Sequence, residues 1–210
     1  GDQMCSIGTT KNSVYDSTIL WIDMVEKSAP IKSGEHLSKV YQLQPFEILL
    51  KDSIKIGIRF SSQYNHEDGL GLYYYNQKEE EWTFLPTRVH WNRSILTSSI
   101  SSLEAVTIIQ DTIPPSVTST FPAPGGHYEK KDVMNLSAFV KDDLSGIDSD
   151  EKHIAMYLDG KRLYASYQPV EQELSARLDS PLRTGRHELL IYVEDRAGHH
   201  IKKPINFSVY

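Results

Sequence analysis

The chain has 210 residues, 39% of them hydrophobic and 24% charged, with a formal net charge of −6. These proportions fit a soluble globular protein and exclude a disordered one. They also exclude a nucleic-acid partner, which needs clustered cations, and membrane insertion, since no run approaches ~20 apolar residues.

Such a length suits two sandwiches of about 100 residues each better than one. Residues 1–15 are small and polar without periodicity, and read as a disordered leader. The single cysteine, Cys5, lies there and cannot form an internal disulfide. It reads as a free thiol in a flexible start. A lipid-anchor cysteine is the alternative, but no apolar signal segment precedes it.

Residues 16–110 read as a first β-sandwich. Residues 18–24 are apolar on both faces and predict a strand buried on two sides. Tyr41 and Leu43 alternate, and Ile54, Ile56, Ile58 and Phe60 form the clearest period-two run. Leu70, Leu72 and Tyr74 share one face, which puts Tyr73 and Tyr75 on the other. A polar turn over residues 76–81 then returns the chain through Trp82 and Phe84, read as core. Ile95, Ile100 and a run over residues 106–109 complete this half, and no window has helical spacing.

Residues 111–115, Asp111-Thr112-Ile113-Pro114-Pro115, read as a stiff linker. Two consecutive prolines remove two backbone donors, so no ladder runs through them, and the joint allows a limited range of angles. Residues 116–210 read as a second sandwich of seven strands. Period-two runs recur at Val117, at Met134 to Val140, at Ile154 to Leu158, at Leu163 and Ala165, at Leu174 to Leu178, at Leu189 to Val193 and at Ile205 to Val209. Asp159-Gly160 marks a two-residue hairpin turn. The basic pairs Lys130-Lys131, Lys161-Arg162 and Lys202-Lys203 fall in turns or at strand edges, where charge discourages edge-to-edge pairing.

The second half resembles the immunoglobulin-like modules repeated in bacterial surface and secreted proteins. The resemblance rests on Asp111 to Pro115, Asp143-Leu144-Ser145-Gly146-Ile147, Leu158-Asp159-Gly160, Gly185-Arg186-His187, and Val193-Glu194-Asp195-Arg196-Ala197-Gly198. His199 stands where these modules usually carry asparagine. The first half more loosely resembles ZU5-like sandwiches, through Val40-Tyr41-Gln42-Leu43-Gln44-Pro45, Gly71-Leu72-Tyr73-Tyr74-Tyr75 and the stretch from Trp82 to Leu85. Some ZU5 domains cleave themselves at a His-Phe-Ser step. Ser101-Ser102-Leu103-Glu104 has no histidine there, so self-cleavage is not carried over.

Asp142, Asp143, Asp148, Asp150 and Glu151 form the densest acidic cluster. A calcium site built from Asp142, Asp143, Asp148 and Asp195 is one reading, since a hard cation takes about 6–8 oxygens. The spacing does not match a calcium loop, and acids that cap their own turns are the favoured reading; no cofactor other than calcium is expected. The histidines are isolated, and His199-His200 point to opposite faces of a strand. No Gly-x-Ser-x-Gly elbow or paired nucleophile and base appears, so no enzyme is expected.

Tyr73, Tyr75 and Trp91 remain as aromatic candidates. Packing under a loop or against the second half is the favoured reading. A platform that stacks sugar rings or binds a protein is the alternative. The leading expectation is an all-β, two-sandwich accessory or spacer segment of a larger bacterial cell-surface or secreted protein, extracellular or periplasmic. Its partners would be neighbouring domains of the same parent chain. The alternative is an adhesin-like module for carbohydrate or a host or surface protein, using the exposed aromatics of the first sandwich.

Overall fold

Residues 4–26, 29–31, 33–66 and 68–210 are described by the computed structural model, and the chain divides into two units, Gly1–Ile113 and Pro114–Tyr210. Strands make up both units, and one short 3-10 turn at Trp91–Arg93 is the only helical element among the described residues.

The first unit holds β1 (Cys5–Gly8), β2 (Trp21–Val25), β3 (Glu35–His36), β4 (Val40–Gln44), β5 (Ile54–Arg59), β6 (Leu70–Asn76), β7 (Glu81–Leu85), β8 (Arg88–His90), β9 (Ile95–Ile100) and β10 (Ala105–Gln110). One sheet runs β1-β5-β9-β8 and the other β2-β4-β10-β6-β7, with β3 also on β10. Between the sheets pack Ile54, Ile56 and Ile58 of β5, Leu72 of β6, Leu96 of β9, and Val106 and Ile108 of β10. Alternating apolar residues build this core because successive strand side chains face opposite ways.

Two expectations fail here. The leader is not unstructured over its described residues: Cys5–Gly8 pairs antiparallel with β5, and Val14 bridges to Leu50. Its short sequence gave no periodicity, yet main-chain pairing with β5 and the packing of Cys5 and Ile7 on the core hold it as an edge strand. Residues 18–24 are not buried on two sides either. β2 lies at the sheet edge, paired with β4; Ile22 packs on the core, while Trp21, Met24 and Val25 are exposed despite being apolar.

The second unit holds β11 (Ser116–Phe121), β12 (His127–Tyr128), β13 (Asn135–Lys141), β14 (Ile154–Leu158), β15 (Lys161–Arg162), β16 (Ala165–Gln168), β17 (Glu173–Arg177), β18 (Gly185–Glu194) and β19 (His200–Val209). Its sheets run β11-β13-β17-β16 and β12-β19-β18-β14-β15. Leu136, Met156, Leu174, Leu189, Ile191, Val193, Ile205 and Phe207 meet between them. The hairpin β14–β15 turns at Asp159 and Gly160, whose φ of 50° and 77° are both positive, as a two-residue turn demands. The single return strand expected at Leu163 and Ala165 is split: the Leu163 N–H donates to the Met156 carbonyl at 2.9 Å, and the chain then crosses to pair with β17 as β16.

Register decides what lies on the outer face of β6. Leu72 and Tyr74 turn inward, so Gly71, Tyr73 and Tyr75 turn outward. Opposite Tyr73 stand Phe84 of β7 and Thr107 of β10. A Cβ placed on Gly71 would lie 2.7 Å from Phe84 Cε2 and 2.8 Å from Tyr73 Cε2. Gly71→Ala should therefore destabilise the first unit by about 1–3 kcal/mol through overpacking. Thermal unfolding measures it; a loss under about 0.5 kcal/mol would mean that the rings swing aside freely.

Candidate functional site

Outside the main core, the first unit carries an aromatic cluster. Tyr73 is 0% exposed and meets Phe84 edge-on at 5.4 Å between ring centroids. Tyr75, half-buried, packs on Trp82 at 5.4 Å. Trp82 in turn meets His36 at 5.3 Å and donates its Nε1–H to the Ala29 carbonyl at 3.1 Å. Ala29 and His36 thus cover Trp82 on this face.

The candidate platform is corrected accordingly. Tyr73 is enclosed and Tyr75 is a cover contact of Trp82. Trp91 belongs to the turn after β8, in the other sheet, between Phe60 at 5.5 Å and His66 at 4.2 Å. The three do not share a surface. A large apolar ring on an outer face recruits a loop to cover it, and alternation cannot reveal that loop.

In the second unit the acidic residues serve their own turns. Asp142 Oδ1 accepts N–H bonds from Leu144 at 3.1 Å and Gly146 at 2.6 Å, and the Ser145 hydroxyl at 3.3 Å. Gly146 sits at φ +78°, a conformation that favours glycine. Asp195, 1% exposed, accepts from the Ala197 and His199 N–H groups at 2.8 and 2.9 Å. Asp148 accepts the Asp150 N–H at 3.0 Å, and Asp143 pairs with Lys141 at 2.5 Å. Calcium at Asp142, Asp143, Asp148 and Asp195 is thereby corrected: these carboxylates are directed at local backbone donors and a lysine, and do not gather as one donor set.

What the sequence reading missed is a cross-strand cluster on the outer face of the five-stranded sheet. Tyr192 and Glu194 lie two apart on β18, and the Tyr192 hydroxyl donates to Glu194 at 2.6 Å. His153, just before β14, places Nδ1 2.9 Å from the same carboxylate. The His200 ring lies 5.6 Å from that of Tyr192, and Lys202 Nζ stands 5.8 Å from it. The Glu194 bond raises the Tyr192 phenol to about 12. It also raises His153, aided by Asp148 and Asp150. Burial pushes Glu194 up, but the bonds from Tyr192 and His153 outweigh it and the carboxyl falls below its ordinary value. The arrangement favours the protonated form of His153 and the ionised form of Glu194. Period two put Tyr192 and Glu194 on one face, and that signal was legible; the arrival of His153 was not.

His187 shows the same chemistry at one end of this unit. Nδ1 lies 2.7 Å from Asp159 Oδ2 and Nε2 2.8 Å from the Arg183 carbonyl. Both partners are acceptors, so both ring nitrogens donate and the ring is the imidazolium. Burial lowers its pKa, but Arg183 and Asp159 outweigh burial and the net shift is upward. His36 of the first unit goes the other way: burial lowers it, against a smaller opposing pull from the Ala29 carbonyl.

These signs predict opposite pH responses in the two units. A histidine raised in the folded state stabilises below the ordinary value of 6.5, and that stability is lost as pH rises through the higher folded value. A lowered histidine destabilises as pH falls through 6.5. Between about pH 7.5 and pH 5.5, acidification should therefore raise the unfolding temperature of the second unit and lower that of the first. Calorimetry at several pH values reads both transitions, and parallel shifts would contradict the assignment.

No family model matches the chain, and no curated protein matches it. Among solved structures, CopC from Methylosinus trichosporium OB3b aligns at 19% identity and a TM-score of 0.36, over 45% of this chain and 92% of that one. PcoC, a methionine-rich copper resistance protein from Escherichia coli, aligns at 13% and 0.35, over 47% and 100%. Dimeric latent PorU from Porphyromonas gingivalis aligns at 12% and 0.36, over 76% of this chain and 22% of that one. Likeness this distant transfers no activity, ligand or location.

The expectation of no cofactor, calcium excepted, is nonetheless corrected: a copper resistance protein stands among the matched structures, and neither part of that expectation is retained. Among the described residues, no helix is long and apolar enough to cross a membrane.

Proposed function

We propose that this chain is a non-catalytic accessory segment of a larger bacterial cell-surface or secreted protein, working outside the cytoplasm. Its two sandwich units, the first ZU5-like and the second immunoglobulin-like, space or attach neighbouring domains of the same parent chain. The observation that supports this best is that each unit closes around its own apolar core. The carboxylates and histidines singled out above also go to turn caps, cross-strand pairs and ring packing. Residues committed in that way hold a scaffold rigid.

Pro114 and Pro115, at the division between the units, serve as a stiff joint in this reading. The test places one spin label in each unit and compares the chain with the Pro114→Gly, Pro115→Gly double variant. The distance distribution should broaden in the variant. An unchanged distribution overturns the spacer role. Turnover of peptide or polysaccharide substrates by the purified chain overturns the non-catalytic one.

A further inference from the structure

We propose that the second unit binds an acidic polysaccharide in an open groove between the β14–β15 hairpin and the loop joining β17 to β18. The groove has a volume of about 1180 Å³, and Lys161, Arg162, Arg177 and Arg183 all line it. All four are exposed. Four cations along one groove stand out in a chain whose net charge is −6.

Two acids also line the groove, Asp159 and Asp179. Asp159 is already engaged, by His187 at 2.7 Å and by the Glu188 N–H at 3.0 Å. Through its second nitrogen His187 holds the Arg183 carbonyl at 2.8 Å. The imidazolium therefore offsets the Asp159 charge and ties the hairpin to the facing loop, which sets the separation of the groove walls. Arg162 donates to the Glu151 carbonyl; a guanidinium has five N–H donors, so this bond does not exhaust it.

Ligand class follows from what stands among these cations. Tyr164, 90% exposed, presents a flat ring with a polar handle at the groove. Such a ring stacks on the apolar face of a sugar, while arginine forks match carboxylate or sulfate groups. An acidic peptide is disfavoured. The bordering strand β15 pairs through only Arg162 and Lys161, too short an edge for a peptide to add as a strand. The site stands independently of the spacing role.

The test titrates the whole chain with oligogalacturonate, sulfated dextran, neutral dextran and polyglutamate. Binding to one or both anionic sugars is expected, and the preferred one tells carboxylate from sulfate recognition. Neutral dextran should not bind. The Arg177→Glu, Arg183→Glu double variant should weaken anionic-sugar binding by roughly tenfold or more, and the effect should shrink with added salt. Tyr164→Ala should weaken sugar binding and leave any polyglutamate binding unchanged. Unaltered unfolding temperatures show that both variants fold. The proposal is overturned if no anionic sugar binds, if either variant keeps full affinity, or if polyglutamate binds as tightly as the sugars.

Discussion

Tyr73→Ala should destabilise the first unit by about 3–5 kcal/mol, the range for a buried aromatic truncated to alanine. The ring is 0% exposed, lies edge-on to Phe84 at 5.4 Å and closes over Gly71 at 2.8 Å from where a Cβ would sit. Removing it opens a cavity beside Phe84 and Gly71. The three tryptophans, Trp21, Trp82 and Trp91, all lie in the first unit. Denaturant unfolding followed by tryptophan fluorescence thus reads this unit alone. Were Tyr73 a surface ligand residue, the change would stay within about 0.5 kcal/mol.

Asp195→Ala should cost the second unit about 2–4 kcal/mol. Its carboxylate, 0% exposed, is held beside His199 and accepts the Ala197 and His199 N–H groups. Alanine would strand both donors in a turn, and each buried donor left unmade costs about 1–3 kcal/mol. Asp195→Asn keeps an acceptor oxygen and should lose less. Calorimetry reads the second unit's transition, since it carries no tryptophan to follow. A loss equal to that of an exposed acid such as Glu171 would remove the structural role.

Much of the fold was legible because alternation is local. Ile54, Ile56 and Ile58 were placed on one face by spacing alone, and all three are buried in the core. Asp159-Gly160 marked its turn because few residues accept positive φ at both positions. The same logic failed where an outcome depended on a neighbour distant in sequence. Residues 18–24 are apolar enough for a central strand, yet β2 received a partner on one side only. The leader had no pattern, yet Cys5–Gly8 found the edge of β5.

Site residues divide along the same line. Tyr73 and Tyr75 were correctly set on the face opposite Leu72, but spacing says nothing about Ala29 and His36, which cover Trp82 on that face. Lys161 and Arg162 read as edge charges, and β15 is an edge strand. Only folding brought Arg177, at the end of β17, and Arg183, in the loop that follows, to the same groove.

By itself, then, the sequence determined that both halves are β, where the main turns fall, and which side chains share a face. Those properties follow from two-residue periodicity and from the φ preferences of single residues. Tertiary structure alone decided which strands became edges, which aromatic face was covered, and which charges converged. Each of those depends on contacts between segments tens of residues apart, and no local pattern encodes which segment arrives.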